Sequence, residues 1–191
     1  ISIDPVPVTI HETPQNLVVN GDFELPRVQP LPPYWRGWPS NWILTSGSVI
    51  IDNEPAHWYQ APYNQPLGNQ YLVGLPSGAF YQDVPVLFEA NKSYHLVVDM
   101  GHYSGRPNVD YSIELRDAET NTVWAHGDQT DYGYPTEGYW DVTAELVYTT
   151  PLSGGPIGNT IRVFIRFEAA TSGSFGNGIC ADNVELYVTS P

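Results

Sequence analysis

The sequence predicts an all-β protein, a sandwich of two antiparallel sheets, and three observations carry that prediction. Short runs rich in Val, Ile, Tyr and Thr are punctuated by 18 Pro and 17 Gly, which is the texture of strands joined by turns. No window of a dozen residues carries a clean helical stripe, and several runs alternate apolar with polar residues instead. Hydrophobic residues make up 41% of the 191-residue chain against 15% charged, enough for one packed core and far from the composition of disordered proteins.

The elements follow in order. Residues 1–15 alternate apolar residues with polar residues or Pro, and Pro5 and Pro7 restrict this stretch to an extended arm or an edge strand. The body, residues 16–191, is expected to be a single β-sandwich domain. It opens with Asn16-Leu17-Val18-Val19-Asn20-Gly21-Asp22-Phe23-Glu24, a strand running into a turn. From Pro26 to Trp42 the prolines remove ladder donors, so this stretch is a loop. Further strands are expected at 47–52, 69–75, 78–84, 93–101, 109–116, 121–126, 139–149, 160–168 and 178–188. Alternation turns Tyr94, Leu96, Val98 and Met100 inward, with Tyr111, Ile113, Leu115, Ile161, Val163, Ile165 and Phe167. His95, Asp99, Arg162 and Arg166 fall on the opposite faces.

Charge narrows the partners. There are 21 acidic residues against 7 basic ones, and Lys92 is the only lysine. Such a surface repels phosphate backbones and anionic membranes, so neither nucleic acid nor a bilayer is an expected partner. A neutral small molecule, a carbohydrate among them, or a cation suits it better. Cys180 is the only cysteine, which excludes an intrachain disulfide. Acidity, scarce lysine and the absence of an initiating Met lead us to expect a processed, secreted or cell-surface chain.

Three segments in order carry a resemblance. Asn16 to Glu24 followed by Gly37-Trp38, then Phe80-Tyr81-Gln82-Asp83-Val84 leading to Ala90-Asn91-Lys92-Ser93-Tyr94-His95-Leu96, and finally Ala181-Asp182-Asn183-Val184-Glu185-Leu186, resemble carbohydrate-binding modules of families 4, 9 and 22. That resemblance implies a galactose-binding-like jelly roll over residues 16–188. The same scaffold is similar to the Stig cyclases that close hapalindole-type indole alkaloids, so the fold leaves function open.

The resemblance also implies a structural Ca²⁺, held by Glu24, by the backbone near Asn91 and Lys92, and by Asp182. Hard cations of this size take six to eight oxygens, which acidic turns and strand ends can supply. Asp182 has the parity of Val184 and Leu186, which aims it inward, and a buried carboxylate needs a partner.

For function, six Trp and 13 Tyr exceed what one core needs and point to an aromatic groove, with Trp42, Trp58, Tyr59, Tyr71, Tyr81 and Tyr103 as candidate walls and Trp124 and Trp140 in reach. Sugar C–H faces stack on such rings, so the first expectation is a non-catalytic, calcium-stabilised module for neutral glycans. The alternative is a Stig-type cyclase acting on a prenylated indole. It uses the same aromatic walls to stabilise cationic character and Asp182 as a buried acid. One residue cannot readily be both calcium ligand and proton donor. A second alternative is a self-assembling surface or filament subunit that uses the N-terminal arm to reach its neighbour. No HExxH or Gly-x-Ser-x-Gly pattern supports a conventional hydrolase.

Overall fold

A computed structural model describes residues 15–25, 38–52, 70–103, 105, 107–168 and 178–191. The predicted N-terminal arm, Trp58 and Tyr59 lie outside the described residues. The described chain is a jelly-roll sandwich built from β1 (Ile43–Asp52), β2 (Tyr71–Leu87), β3 (Ser93–His102), β4 (Asp110–Asp117), β5 (Val123–Asp128), β6 (Trp140–Thr149), β7 (Thr160–Glu168) and β8 (Ile179–Thr189), with one short helix, α1 (Gln129–Tyr132).

Every pairing is antiparallel. Along the sheet path the order is β5-β4-β7-β2-β8-β3-β6, and β1 pairs with β2. The 17-residue β2 makes this one path serve two layers. Its residues 78–87 pair with β7, whereas Leu72 and Val73 pair with β8. Where the sequence pattern predicted two strands, 69–75 and 78–84, a single strand passes from one sheet to the other.

Between the layers the alternating residues interlock. Tyr94, Leu96, Val98, Met100, Tyr111, Ile113, Leu115, Ile161, Val163, Ile165 and Phe167 are all buried in one core, as their parity predicts. Phe23, Trp42, Phe80 and Phe167 fill one region of it, with centroids 5.5 Å apart for Phe23–Trp42, 5.2 Å for Trp42–Phe80 and 6.0 Å for Phe80–Phe167. Burying one such ring stabilises the fold by about 1.5–3 kcal/mol.

The expected first strand behaves differently. Residues 16–24 form bends and turns, yet they hold β8 through Leu17 N–H to the Leu186 carbonyl (2.8 Å) and Val184 N–H to the Gly21 carbonyl (2.9 Å). The Asn16 side chain substitutes for ladder groups, accepting the N–H of Leu186 (2.9 Å) and donating to the Val184 carbonyl (3.2 Å). Gln82 has the inward parity of Phe80 and Val84. Its buried amide is satisfied by both backbone groups of Val19, at 2.8 Å each. The first segment is therefore fastened to both sheets although it joins neither as a strand.

Candidate functional site

Where β2 meets β8, a second apolar cluster forms on the face turned away from the main core. Tyr71, Val73 and Cys180 are buried there, with Tyr103 and Trp140 packed against them. Alternation puts it there, because Leu72 and Ala181, the neighbours in sequence, belong to the main core. The Tyr71 and Tyr103 hydroxyls share a 2.6 Å hydrogen bond. Their rings lie 6.0 Å apart, and Tyr71 meets Trp140 edge to face at 5.7 Å. Trp140 can lie flat here because Gly101 stands opposite it in the ladder. A Cβ on Gly101 would fall 2.5 Å from the indole.

Asp182 joins this face through a backbone irregularity. In the β3–β8 ladder Asp99 stands opposite Asp182 and Val97 opposite Glu185, so β8 carries one extra residue between those pairs. The extra residue is Asn183, in the left-handed conformation with φ 49°. Such a bulge resets the side-chain alternation. Asp182 consequently shares a face with Cys180 and Asp99, while Val184 and Leu186 return to the core. The expectation that Asp182 has the parity of Val184 and points into the sandwich is corrected: it is fully buried, but on the outer face, beside the aromatic cluster. Its Oδ1 accepts the N–H of Asn183 at 2.8 Å.

Glu24 reaches the same end of the sandwich. It accepts the Gln70 N–H at 2.8 Å, and the Gln70 side-chain amide donates to the Phe23 carbonyl at 2.8 Å. Just beyond, at the end of β3, His102 is 2% exposed. Burial holds its pKa below the ordinary 6.5, against the opposing pull of the Pro107 carbonyl and of Glu137.

Several expected site residues lie elsewhere. Trp42 is a core residue, packed on Phe23 and Phe80 with its Nε1 donating to the Asn20 carbonyl at 3.1 Å. Tyr81 lies under the Arg162 guanidinium, 3.8 Å from the ring centroid, on the outer face of the β2–β7 sheet. Among the described residues, only Tyr71 and Tyr103 of the expected walls meet. Trp140, Val73 and Cys180 complete the cluster, and they could be grouped only once the ladder register was known.

The proposed calcium ligands are not gathered either. Asn91 and Lys92 precede β3 at its opposite end, and Lys92 Nζ donates to Ser190. Seven residue steps of extended chain lead from Lys92 to Asp99, the partner of Asp182, a distance of roughly 23 Å. Glu24, Asn91, Lys92 and Asp182 therefore cannot coordinate one ion. No group of three or more His, Cys, Asp or Glu is arranged to hold a metal among the described residues.

The described arrangement is thus a buried carboxyl group beside two hydrogen-bonded tyrosines and an indole, on the outer face of a sheet. Comparison with protein families bears directly on it. The HpiC1-like model, that of HpiC1 cyclase, matches residues 14–186. This chain belongs to the HpiC1-like family.

Solved structures agree on the fold. A cyclase from Fischerella sp. TAU in complex with 4-(1H-indol-3-yl)butan-2-one superposes with a TM-score of 0.72 at 18% identity, over 90% of this chain and 95% of that one. The Stig cyclase Fisc from the same organism, in complex with (3Z)-3-(1-methyl-2-pyrrolidinylidene)-3H-indole, gives 0.76 at 17% identity, over 93% and 99%. The CBM22-1 xylan-binding domain of Paenibacillus barcinonensis Xyn10C gives 0.54 at 13% identity, over 95% and 99%. Curated proteins yield no match.

Membership in the HpiC1-like family corrects the first functional expectation. The reading as a non-catalytic carbohydrate-binding domain is overturned, since the matching family model is that of HpiC1 cyclase and spans nearly the whole chain. The jelly roll shared with both groups of solved structures explains the error, because a fold does not fix a function.

Proposed function

We propose that this HpiC1-like protein is a cyclase that isomerises a prenylated indole, with Asp182 as the proton donor and Tyr71, Tyr103 and Trp140 as the walls that receive the cationic intermediate. The observation that carries the reading is the placement of a fully buried carboxyl group on the same face as this aromatic cluster. A carboxyl group positioned against a bound substrate can deliver a proton to it. The indole compounds bound by two Fischerella cyclases support a flat, aromatic small molecule as the substrate.

The chemistry balances without a redox partner. The carboxylic acid protonates the substrate; the resulting cation is attacked by a carbon–carbon π bond, forming the new ring bond; a proton then leaves another carbon and the carboxylic acid is restored. Substrate and product have the same mass. Ring faces of tyrosine and tryptophan stabilise positive charge in a dry site, and a site closed to water prevents capture of the cation as an alcohol.

The test is turnover of a prenylated indole followed by mass-resolved chromatography. Wild-type protein should give a product of unchanged mass and new retention time. Asp182→Asn, which keeps the size of the side chain, should lower the rate by roughly 10²–10⁴-fold, the usual contribution of a positioned acid. Equal rates in the two proteins would rule out Asp182 as the donor.

A further inference from the structure

The bulge that turns Asp182 toward the aromatic cluster is held by a chain of hydrogen bonds crossing three strands. From β6, the Thr143 hydroxyl donates to Asp99 Oδ1 at 2.7 Å. On β8, the Asn183 side-chain amide donates to Asp99 Oδ2 at 3.2 Å, and the Asn183 backbone N–H donates to Asp182 Oδ1 at 2.8 Å. Asn183 thus grips a fixed carboxylate with its side chain and the buried acid with its backbone. Its φ of 49° is a conformation that asparagine tolerates better than other side-chain-bearing residues.

We propose that Thr143, Asp99 and Asn183 are positioning residues of the HpiC1-like site: together they lock the β8 bulge so that the Asp182 carboxyl is held at one angle to the aromatic walls. The inference rests on the reading of Asp182 as proton donor. Asp99 is the hub, because both of its oxygens are occupied by donors from the strands on either side of β3. Without the Asn183 amide the bulge keeps its backbone turn but loses the strut that fixes its rotation. A displacement of the acid by an ångström is enough to cost catalysis heavily while leaving substrate binding to the aromatic walls.

Three variants test this on the full chain. Asn183→Asp sets two acceptors against each other across the strut, whereas Asp99→Asn keeps one acceptor oxygen for the Asn183 amide and supplies a donor in place of the other. The combined protein exchanges donor and acceptor and restores the bond with its direction reversed. Asn183→Asp should lower kcat on a prenylated indole about tenfold or more with KM little changed, Asp99→Asn alone should stay near the wild type, and adding Asp99→Asn to Asn183→Asp should recover most of the loss. Asn183→Asp with wild-type kcat, or a double variant no faster than Asn183→Asp, would overturn the proposal.

If either strand variant fails to fold, Thr143→Val on the exposed edge of β6 carries the same kcat expectation. Crystal structures of the wild type and of Asn183→Gly, which permits the same φ, supply a readout independent of turnover. The Asp182 carboxyl should rotate away in the variant, and an unmoved carboxyl would overturn the proposal. Should the wild-type protein leave the indole unconverted, the cyclase reading fails, and the crystal structures alone then decide the positioning role.

Discussion

Tyr71 and Tyr103 bring their hydroxyls to 2.6 Å, so each ring is held at its polar tip as well as by packing. Replacing Tyr71 with Phe leaves the ring and removes that tie. We expect a stability loss of about 1 kcal/mol, the net worth of one such bond, read as a lower midpoint in urea unfolding. Gly101→Ala should do more, because its Cβ would fall on the indole of Trp140. Overpacking of this kind costs about 1–3 kcal/mol. It should also displace Trp140 from Tyr71, visible as a shift in tryptophan fluorescence. Wild-type fluorescence and stability in Gly101→Ala would contradict the flat stacking described.

At the same scale the sequence was partly legible. Tyr71 and Tyr103 were candidate walls by residue type, and the junction of β2 with β8 beside the end of β3 brings them together. Trp42 was a candidate by residue type alone, and its contacts with Phe23 and Phe80 come from chain crossings that no local pattern encodes. The facing of Asp182 was misread for a definite reason. Period-2 alternation holds only along an unbroken strand, and the single left-handed residue at Asn183 inverts it. An Asp-Asn pair inside an otherwise apolar run is a faint bulge signal, since Asn is among the residues that tolerate φ above zero.

Among the elements, β2 and β8 determine the site, because their junction puts Tyr71, Val73 and Cys180 on one surface. The segment 16–24 braces β8 immediately beyond the bulge. Gly21 approaches so closely that an added Cβ would sit 2.0 Å from the Val184 carbonyl oxygen. Gly21→Ala must therefore push the segment off β8, and we expect a destabilisation on the order of 1–3 kcal/mol. Hydrogen exchange should show faster exchange at the Val184 and Leu186 amides, the two β8 groups that the segment satisfies. Protection unchanged at those amides would contradict the brace. Pattern reading placed nearly every strand, yet it split β2 in two and made a strand of 16–24. Both differences have one cause: a strand that changes sheets and a segment fastened by side chains carry weaker alternation than a strand within one ladder.

For the molecule as a whole, the buried titratable groups set the response to acid. His102 has a folded pKa below 6.5 because burial disfavours its charged form. The unfolded chain binds the proton more readily, so this contribution to stability is fully present above about 6.5 and is lost as pH falls toward the lowered folded value. Asp117 adds a second step at lower pH. Hydrogen bonds from the backbone of Thr120 and Glu119 and from Asn159 hold its carboxyl below 3.8. Its contribution is likewise lost as pH falls through that lowered value. Thermal unfolding followed from pH 7.5 to 5 should show a falling midpoint, and His102→Gln should flatten the slope. An unchanged slope in that variant would remove His102 from the account.

The claim that joins these scales is that Asp182, buried beside aromatic walls in an HpiC1-like fold, delivers the proton that starts cyclisation. Its most direct test is conversion of a prenylated indole in D₂O, with the product read by mass and by NMR. One deuterium at a single carbon of a product otherwise isomeric with the substrate, formed by the wild type and not by Asp182→Asn, is the predicted result. Product without deuterium, or with the same deuterium content and rate in Asp182→Asn, would contradict it.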